Sequence, residues 1–407
     1  MADFIAQLGN AQHQGLLSLE ARLATLPIGQ NPYMTGASLP PNSPLFFGRQ
    51  RELHDILSVL RQPNKPASVS ILGERRIGKS SLLNQIFQAL NKEEQLCALL
   101  ASAQNFGQLT EQSFFKSLKH SIAKLLNQNL DENVVVNYED LRDFIQMLAK
   151  QGYRFVILID EFEKMTSNSN FNSDFFGNLR ALGDSSECRL GYVISSRRGL
   201  QDLCRSHKIE ESSFWNIFGT QKILGLLDEK DAKDLLITPL QKTLARQLKE
   251  PDEFWNNAKI TTGCHPLLIQ LTAAQYWNAK QGNFEFNMIE VKMNLRRYME
   301  DWFYQRSLES QQQWLLLVQA AGDKKIEETV LFYDLYSRGL LLKDGKPFCP
   351  YFAKVIQEEC EKNSKKSFTE YLSDITKGLK GGVEIIGELW GIFKKASELS
   401  DDINKHL

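Results

Sequence analysis

The sequence predicts an α/β fold in which a parallel sheet is flanked by helices and followed by a helical region. Two observations favour this fold class. Short apolar segments alternate with amphipathic helical patterns from residue 43 to residue 227. One of them, 155–159, is five consecutive apolar residues, as expected for a strand buried on both faces. After residue 227 the strand patterns stop, and helical patterns continue to residue 305.

The individual elements follow from the same patterns. Five strands are predicted, at 68–72, 96–101, 155–159, 190–194 and 221–227. Helices are predicted between them at 80–90, 111–126, 138–150 and 171–182. Later helices are predicted at 229–236, 239–247, 251–259, 266–279 and 287–304, three of which begin at a proline.

The chain is accordingly predicted to have five parts. They are an N-terminal helix and linker (1–42), an α/β domain (43–227), a helical lid domain (228–305), a winged-helix domain (306–360) and an amphipathic helical tail (361–407). The linker is rich in Pro, Gly, Ser and Asn. The winged helix is inferred from helical patterns at 311–321 and 327–338, which precede a hairpin pattern with an Asp344-Gly345 turn.

Composition narrows the class of protein. The chain has 407 residues, of which 42% are apolar and 24% charged, and a formal net charge of −1, so no global basic field indicates a nucleic-acid partner. Its six cysteines form neither a CxxC pair nor a zinc-spaced cluster, which favours reduced thiols in a cytoplasmic protein. We expect no signal peptide, because the N-terminus lacks a basic region followed by an apolar one. We also expect no transmembrane segment, because no apolar run reaches 18 residues.

A phosphate-binding loop is the most specific motif. Residues 73–80 read GERRIGKS, which satisfies the pattern GxxxxGK followed by Ser or Thr, between a predicted strand and a predicted helix. Backbone amides and the positive helix end would cradle phosphates, Lys79 would bridge them, and Ser80 would bind Mg²⁺. A glycine-rich turn without a ligand is the alternative. The predicted nucleotide-binding residues here are Gly73, Glu74, Arg75, Arg76, Ile77, Gly78, Lys79, Ser80 and Ser81.

Two further strand ends carry polar groups. The strand 155–159 runs into Asp160 and Glu161, and ligands of open α/β sheets bind at such carboxyl edges. Asp160 is expected to hold Mg²⁺ through water, and Glu161 to orient and deprotonate an attacking water; two solvated carboxylates are the alternative. The strand 190–194 runs into the polar and cationic residues 195–198, of which Ser196 or Arg197 would sense the γ-phosphate. Arg197 would otherwise act in trans on a neighbouring subunit, or pair with surface carboxylates.

These motifs together resemble the AAA+ superfamily of P-loop ATPases, specifically its STAND-like group. Residues 46–53 read FFGRQREL and resemble the family's FxGRxxEL box, which implies that Gly48 and Arg49 lie near the adenine. Residues 262–270 read TGCHPLLIQ and resemble the motif that opens a lid helix, which implies that Pro266 contacts the nucleotide. The resemblance implies ATP or ADP with Mg²⁺ as ligands and Glu161, Lys79 and Arg197 as catalytic residues.

We therefore expect a slowly hydrolysing ATPase that acts as a nucleotide-dependent switch. The resemblance implies a signalling or defence role, with a homo-oligomer in the ATP state or a protein partner. One alternative is a DNA-associated ATPase resembling archaeal origin-recognition initiators, but the candidate reading helix, 327–338, is acidic and aromatic. Another is a scaffold that keeps its nucleotide as a structural cofactor. The apolar faces predicted within 367–379 and 383–395 suit a packed hairpin, a partner or a membrane surface.

Overall fold

The computed structural model describes residues 17–102, 109–129, 135–244, 248–309, 311–364, 369–370 and 372–373. These residues divide into two compact units. The first consists of the described parts of Met1–Leu26 and Gly36–Leu224, and the second of those of Pro27–Thr35 and Gly225–Leu407. The predicted tail stretch 383–395 and most of 367–379 lie outside the described residues, as do residues 5–16 of the predicted N-terminal helix.

A five-stranded parallel sheet forms the centre of the first unit. Its strands are β1 (Val69–Gly73), β2 (Leu96–Ser102), β3 (Arg154–Asp160), β4 (Leu190–Ser196) and β5 (Thr220–Leu224). They lie in the order β2-β3-β4-β1-β5, and every neighbouring pair is parallel. β1 and β4 are buried along their whole length, as expected of central strands between helical layers. The predicted α/β fold class is confirmed.

Helices pack on this sheet, and many aromatic side chains fill the core between them. The helices are α1 (Leu19–Ala24), α2 (Gln50–Leu60), α3 (Lys79–Leu90), α4 (Glu111–Leu125), α5 (Tyr138–Lys150), α6 (Phe162–Thr166), α7 (Ser173–Asp184) and α8 (Leu200–Ser206). α5 begins with a capping box between Asn137 and Asp140, which satisfies amides of its first turn. Phe114 and Phe175 pack edge to face on one side of the sheet, with ring centroids 5.3 Å apart.

The strand order gathers the ends of three strands at one edge. β4, which ends at Ser196, lies between β1, the strand before the phosphate loop, and β3, the strand that ends at Asp160. Leu72 of β1 is in register with Ser196, and Ile159 of β3 with Ile194. The residues that follow these pairs therefore leave the sheet on the same edge.

The second unit is mostly helical. Its helices are α9 (Glu229–Thr243), α10 (Pro251–Thr262), α11 (Pro266–Gln281), α12 (Met288–Glu309), α13 (Gln311–Ala321), α14 (Val330–Ser337) and α15 (Pro350–Ser364). α12 and α15 continue across the predicted domain boundaries at 305 and 360, so neither boundary coincides with a break in secondary structure. None of the described helices is both long and apolar enough to cross a membrane.

One prediction for this unit is wrong. Residues 229–236 and 239–243 form a single helix, α9, with Pro239 in its interior. A proline has no N–H to donate to the carbonyl one turn earlier, here that of Leu235. The buried hydroxyl of Tyr33 lies 3.4 Å from that carbonyl oxygen and donates to the Leu236 carbonyl oxygen at 2.9 Å. The Tyr33 hydroxyl thus compensates for the missing proline N–H. Because Tyr33 is 202 residues away from Leu235 in the sequence, the helical pattern around Pro239 could not predict this contact.

The predicted hairpin is reduced to a tight turn. Leu341 and Pro347 form an isolated antiparallel bridge, and the Leu342 amide donates to the Lys346 carbonyl at 2.7 Å. Gly345 has φ +82°, the left-handed conformation that such a turn favours in glycine. The turn lies between α14 and α15, as a wing would, and the winged-helix domain stays a prediction.

Candidate functional site

The loop between β1 and α3 has the backbone geometry of a phosphate cradle. A Cβ atom on Gly73 would lie 2.8 Å from Ile77 Cγ2 and 2.9 Å from the Leu224 carbonyl oxygen, so only glycine fits there. Gly78 has φ +108° and precedes the first residue of α3. Arg76 has φ +62°, which is uncommon for a residue with a side chain. This backbone conformation is the kind in which loop amides can bind phosphate at the start of a helix.

Lys79 is the first residue of α3, and its ammonium group donates to the carbonyl oxygens of Gly73 and Glu74 at 2.9 Å each. Burial lowers the pKa of Lys79 to about 8, although the carboxylates of Glu163 and Asp160 act in the opposite direction. The lysine predicted to bridge phosphates is thus close to the acidic strand end. Ser80 and Ser81 follow it in the first helical turn.

The acidic end of β3 is tied to β4. Asp160 Oδ1 accepts hydrogen bonds from the Ser195 hydroxyl and, at 3.1 Å, from the Glu161 amide. The Glu161 amide also lies 3.2 Å from Ser195 Oγ. Glu161 itself has φ +54°, so the chain turns sharply as it leaves the sheet for α6. These bonds hold one Asp160 oxygen and fix the direction in which the strand ends.

Two residues of this edge, Ser195 and Glu163, were not among the predicted site residues. Ser195 contacts Asp160, whereas the predicted Ser196 is buried and its hydroxyl donates to the Arg198 carbonyl at 2.8 Å. Glu163 accepts a hydrogen bond from the Arg197 backbone amide. The alternation of side chains along a strand could have favoured Ser195 over Ser196, but no sequence pattern connects Glu163 with Arg197 across 34 positions.

The predicted adenine-side residues lie in a constrained turn of the same unit. Gly48 and Arg49 have φ +64° and +65°, and Arg49 forms an ion pair with Glu52 at 3.1 Å as α2 begins. Phe46 and Phe47 before them are buried. The turn is therefore fixed by its own contacts.

Pro266 lies in the second unit, at the first position of α11. His265 before it is buried, and its ring centroid is 6.2 Å from that of Phe348. Gly263 has φ +54°, and a Cβ atom there would lie 2.7 Å from the Phe348 carbonyl oxygen. The motif thus packs against the turn before α15, and the predicted contact of Pro266 with nucleotide stays a prediction.

The residues present fit a nucleotide with Mg²⁺. The glycine cradle, the helix start and the Lys79 ammonium are suited to phosphate, while the Ser80 hydroxyl and the Asp160 carboxylate are hard oxygen donors of the kind Mg²⁺ prefers. No cluster of three His, Cys, Asp or Glu side chains that could hold a metal alone occurs in the described residues. Mg²⁺ bound with phosphates needs only one or two protein ligands.

Comparison with known proteins gives a family match for part of the chain. Residues 63–246, which include all five strands, match the family described as Novel STAND NTPase 2. This region is a STAND-like P-loop NTPase domain. The predicted resemblance to a STAND-like P-loop ATPase is confirmed. No curated protein matches the chain.

Solved structures support the fold of the STAND-like domain and its neighbouring helices. The Walker-type ATPase PABY2304 of Pyrococcus abyssi is 16% identical, with a TM-score of 0.56 over 79% of this chain and 98% of that one. The Aeropyrum pernix ORC2 protein, solved in ADPNP–ADP complexes, is 13% identical, with a TM-score of 0.51 over 81% of this chain and 98% of that one. At these identities the likeness concerns the fold.

Proposed function

We propose that this protein binds ATP with Mg²⁺, hydrolyses it slowly and uses the two nucleotide states as a conformational or oligomerisation switch in the cytoplasm. One observation carries the proposal. The phosphate loop with Lys79, the carboxylate of Asp160 and the end of β4 all leave the sheet at one edge. Such an edge combines a cation for phosphates with acidic groups for a metal and a water molecule.

Each residue has a proposed role in this reaction. The amides of residues 73–80 and the Lys79 ammonium bind the phosphates, and Ser80 and Asp160 hold Mg²⁺, which neutralises phosphate charge when bound. Glu161 orients a water molecule and accepts its proton. The Ser195 hydroxyl keeps the Asp160 carboxylate in place by bonding to Oδ1, and Oδ2 would hold Mg²⁺ through water.

The end of β4 is proposed to sense the γ-phosphate. Arg197 acts electrostatically on Lys79, so its charge lies near the phosphate loop. Glu163 holds the Arg197 amide and thereby fixes where this segment leaves the sheet. Arg197 would stabilise the charge of the transferred phosphoryl group, in cis or on a neighbouring subunit. Ser196 supports the turn through Arg198.

The pKa of Lys79 gives the site a specific pH dependence. Phosphate binding requires the ammonium form, and the pKa of Lys79 is about 8 before nucleotide binds. We expect the affinity for Mg–ADP to be constant below pH 7.5 and to fall by about tenfold per pH unit above pH 8, measured by calorimetry. Lys79→Arg is the control, because a guanidinium stays charged and should remove this dependence. An equal fall in both proteins would contradict the assignment.

The same group affects the stability of the nucleotide-free protein in the opposite direction. Its folded pKa is below the unfolded value, so between about pH 8 and pH 10.5 the unfolded chain binds more protons at this site. The contribution of Lys79 to the free energy of unfolding therefore rises with pH across this interval. Loss of nucleotide affinity above pH 8 would consequently not reflect unfolding caused by this lysine.

The switch itself is proposed to involve a change of assembly. We expect Glu161→Gln, which should retain ATP, to form a larger species with Mg–ATP than with Mg–ADP, measured by size-exclusion chromatography with light scattering. Adding duplex DNA to both samples tests the alternative role. We do not favour DNA, because α14 presents Val330 at 89% exposure and is preceded by Glu327 and Glu328. A monomer under every nucleotide condition would contradict the oligomeric switch.

A further inference from the structure

Part of the segment predicted as an extended linker is bound along the phosphate-loop helix α3. We call residues 36–42 the strap. The Leu39 amide donates to the Ser81 hydroxyl at 3.0 Å, and the Asn84 side-chain amide donates to the Leu39 carbonyl at 2.8 Å. Both polar groups of Leu39 are thus satisfied by side chains of α3. Ser81 comes directly after the predicted Mg²⁺ ligand Ser80, so the strap begins at the first turn of the phosphate-binding helix.

Gln85 is the centre of this attachment. Its side-chain amide donates to the Pro40 carbonyl at 2.9 Å, and its oxygen accepts from the Asn42 amide at 3.0 Å. Gln85 is only 1% exposed, so its Nε2 and Oε1 atoms bond to the strap backbone in place of water. A buried polar side chain is unfavourable unless it is fully hydrogen-bonded. Within the phosphate loop itself, the Arg76 guanidinium donates to the Gly36 carbonyl at 2.9 Å.

The residues immediately before the strap are anchored elsewhere. Residues 27–35 belong to the second unit. Tyr33 donates its buried hydroxyl to the Leu236 carbonyl at 2.9 Å, beside the gap that Pro239 leaves in α9. The Asn31 side-chain amide donates to Asn278 Oδ1 at 2.8 Å, and the Gly29 amide donates to the Thr243 carbonyl at 2.7 Å. This stretch is therefore attached to both α9 and α11.

Both ends of that stretch return to the first unit. On its N-terminal side, the buried Arg22 of α1 donates to the carbonyl oxygens of Ser43 and Phe46 at 2.8 Å each. On its C-terminal side the strap begins at Gly36, where a Cβ atom would meet nothing within 4 Å. Tyr33 and Leu39 are six residues apart and can be separated by at most about 22 Å. The covalent connection between the two anchored stretches is therefore short.

We propose that residues 27–42 form a tether through which the phosphate loop and the second unit report their states to each other. The strap holds the first turn of α3 and the Arg76 turn, so nucleotide binding that orders this turn also orders the strap. The neighbouring residues 27–35 then transmit the change to α9 and α11. Gln85 is the positioning residue of the strap. The tether rests on the proposed nucleotide binding.

Hydrogen exchange followed by mass spectrometry on the full chain tests this coupling. Mg–ADP is titrated, and exchange is followed in peptides from residues 27–35, 36–42 and the phosphate loop. We expect all three regions to gain protection with one common half-saturation concentration. In Gln85→Leu, the phosphate loop should still gain protection, with about five- to tenfold weaker half-saturation, while the response of 27–35 is lost.

Two further variants keep the test decisive. Gln88→Leu makes the same chemical change on the same helix and should respond like the unmodified protein. Tyr33→Phe removes only the hydroxyl that donates to Leu236, so ADP should still protect 36–42 but no longer 27–35. Protection of the phosphate loop without any response in 36–42 would overturn the tether alone. The absence of phosphate-loop protection at saturating Mg–ADP would instead overturn the proposed function.

Discussion

Lys79→Ala is expected to abolish the stabilisation that ATP or ADP gives to this protein. A ligand at 100 times its dissociation constant stabilises the folded state by about 2.7 kcal/mol, which corresponds to roughly 5–10 °C in the midpoint of thermal unfolding. We expect this shift in the unmodified protein and none in the variant, measured by differential scanning fluorimetry with Mg–ATP.

The size of this effect follows from the charges around the site. Glu163, Asp160 and Glu161 all act electrostatically on Lys79. Without its ammonium group, the loop would offer phosphates only amides and the helix end, opposite several carboxylates. The carboxylates would then repel the nucleotide phosphates, with no ammonium group to offset them.

Lys164→Ala provides the matched control for this experiment. Lys164 lies in α6, four residues after Asp160 in the sequence. Its side chain is exposed, and it is not part of the predicted site. Its removal should leave the ATP-induced shift intact. A shift of normal size in Lys79→Ala would show that phosphates bind elsewhere.

Glu161→Gln is expected to reduce ATP turnover by about 10²- to 10⁴-fold while nucleotide binding is retained. Glutamine has the same shape as glutamate and can still hydrogen-bond a water molecule, but it cannot accept the proton. Turnover is measured by phosphate release, and binding by the thermal shift described above. Any assembly that forms with ATP should persist in this variant, because the ATP state no longer decays.

Glu163→Gln tests whether Glu161 or Glu163 is the base that accepts the proton of the attacking water. The glutamine oxygen can still accept the hydrogen bond from the Arg197 amide, so the end of β4 should keep its position. We expect a much smaller loss of turnover than in Glu161→Gln. Loss of turnover in Glu163→Gln with near-normal turnover in Glu161→Gln would transfer the role of base to Glu163.

The sequence was sufficient for the elements whose causes are local. The five apolar residues 155–159 predicted a buried strand, and the structure has β3 at Arg154–Asp160. The glycines of the phosphate loop predicted a strand-to-helix turn where side chains would obstruct the backbone; Gly73 has no room for a Cβ atom and Gly78 has φ +108°. Hydrophobic periodicity and glycine stereochemistry act over a few residues, so both can be read directly from the chain.

Tertiary structure alone decided the partners of these elements. The position of β4 between β1 and β3 selects Ser195 as the contact of Asp160 and brings Glu163 to the Arg197 amide. It also converts the predicted linker into a strap, because Gln85 presents two hydrogen-bonding groups to backbone more than 40 positions away. Hydrogen bonds between distant segments depend on the assembled fold, and local sequence patterns carry no record of them.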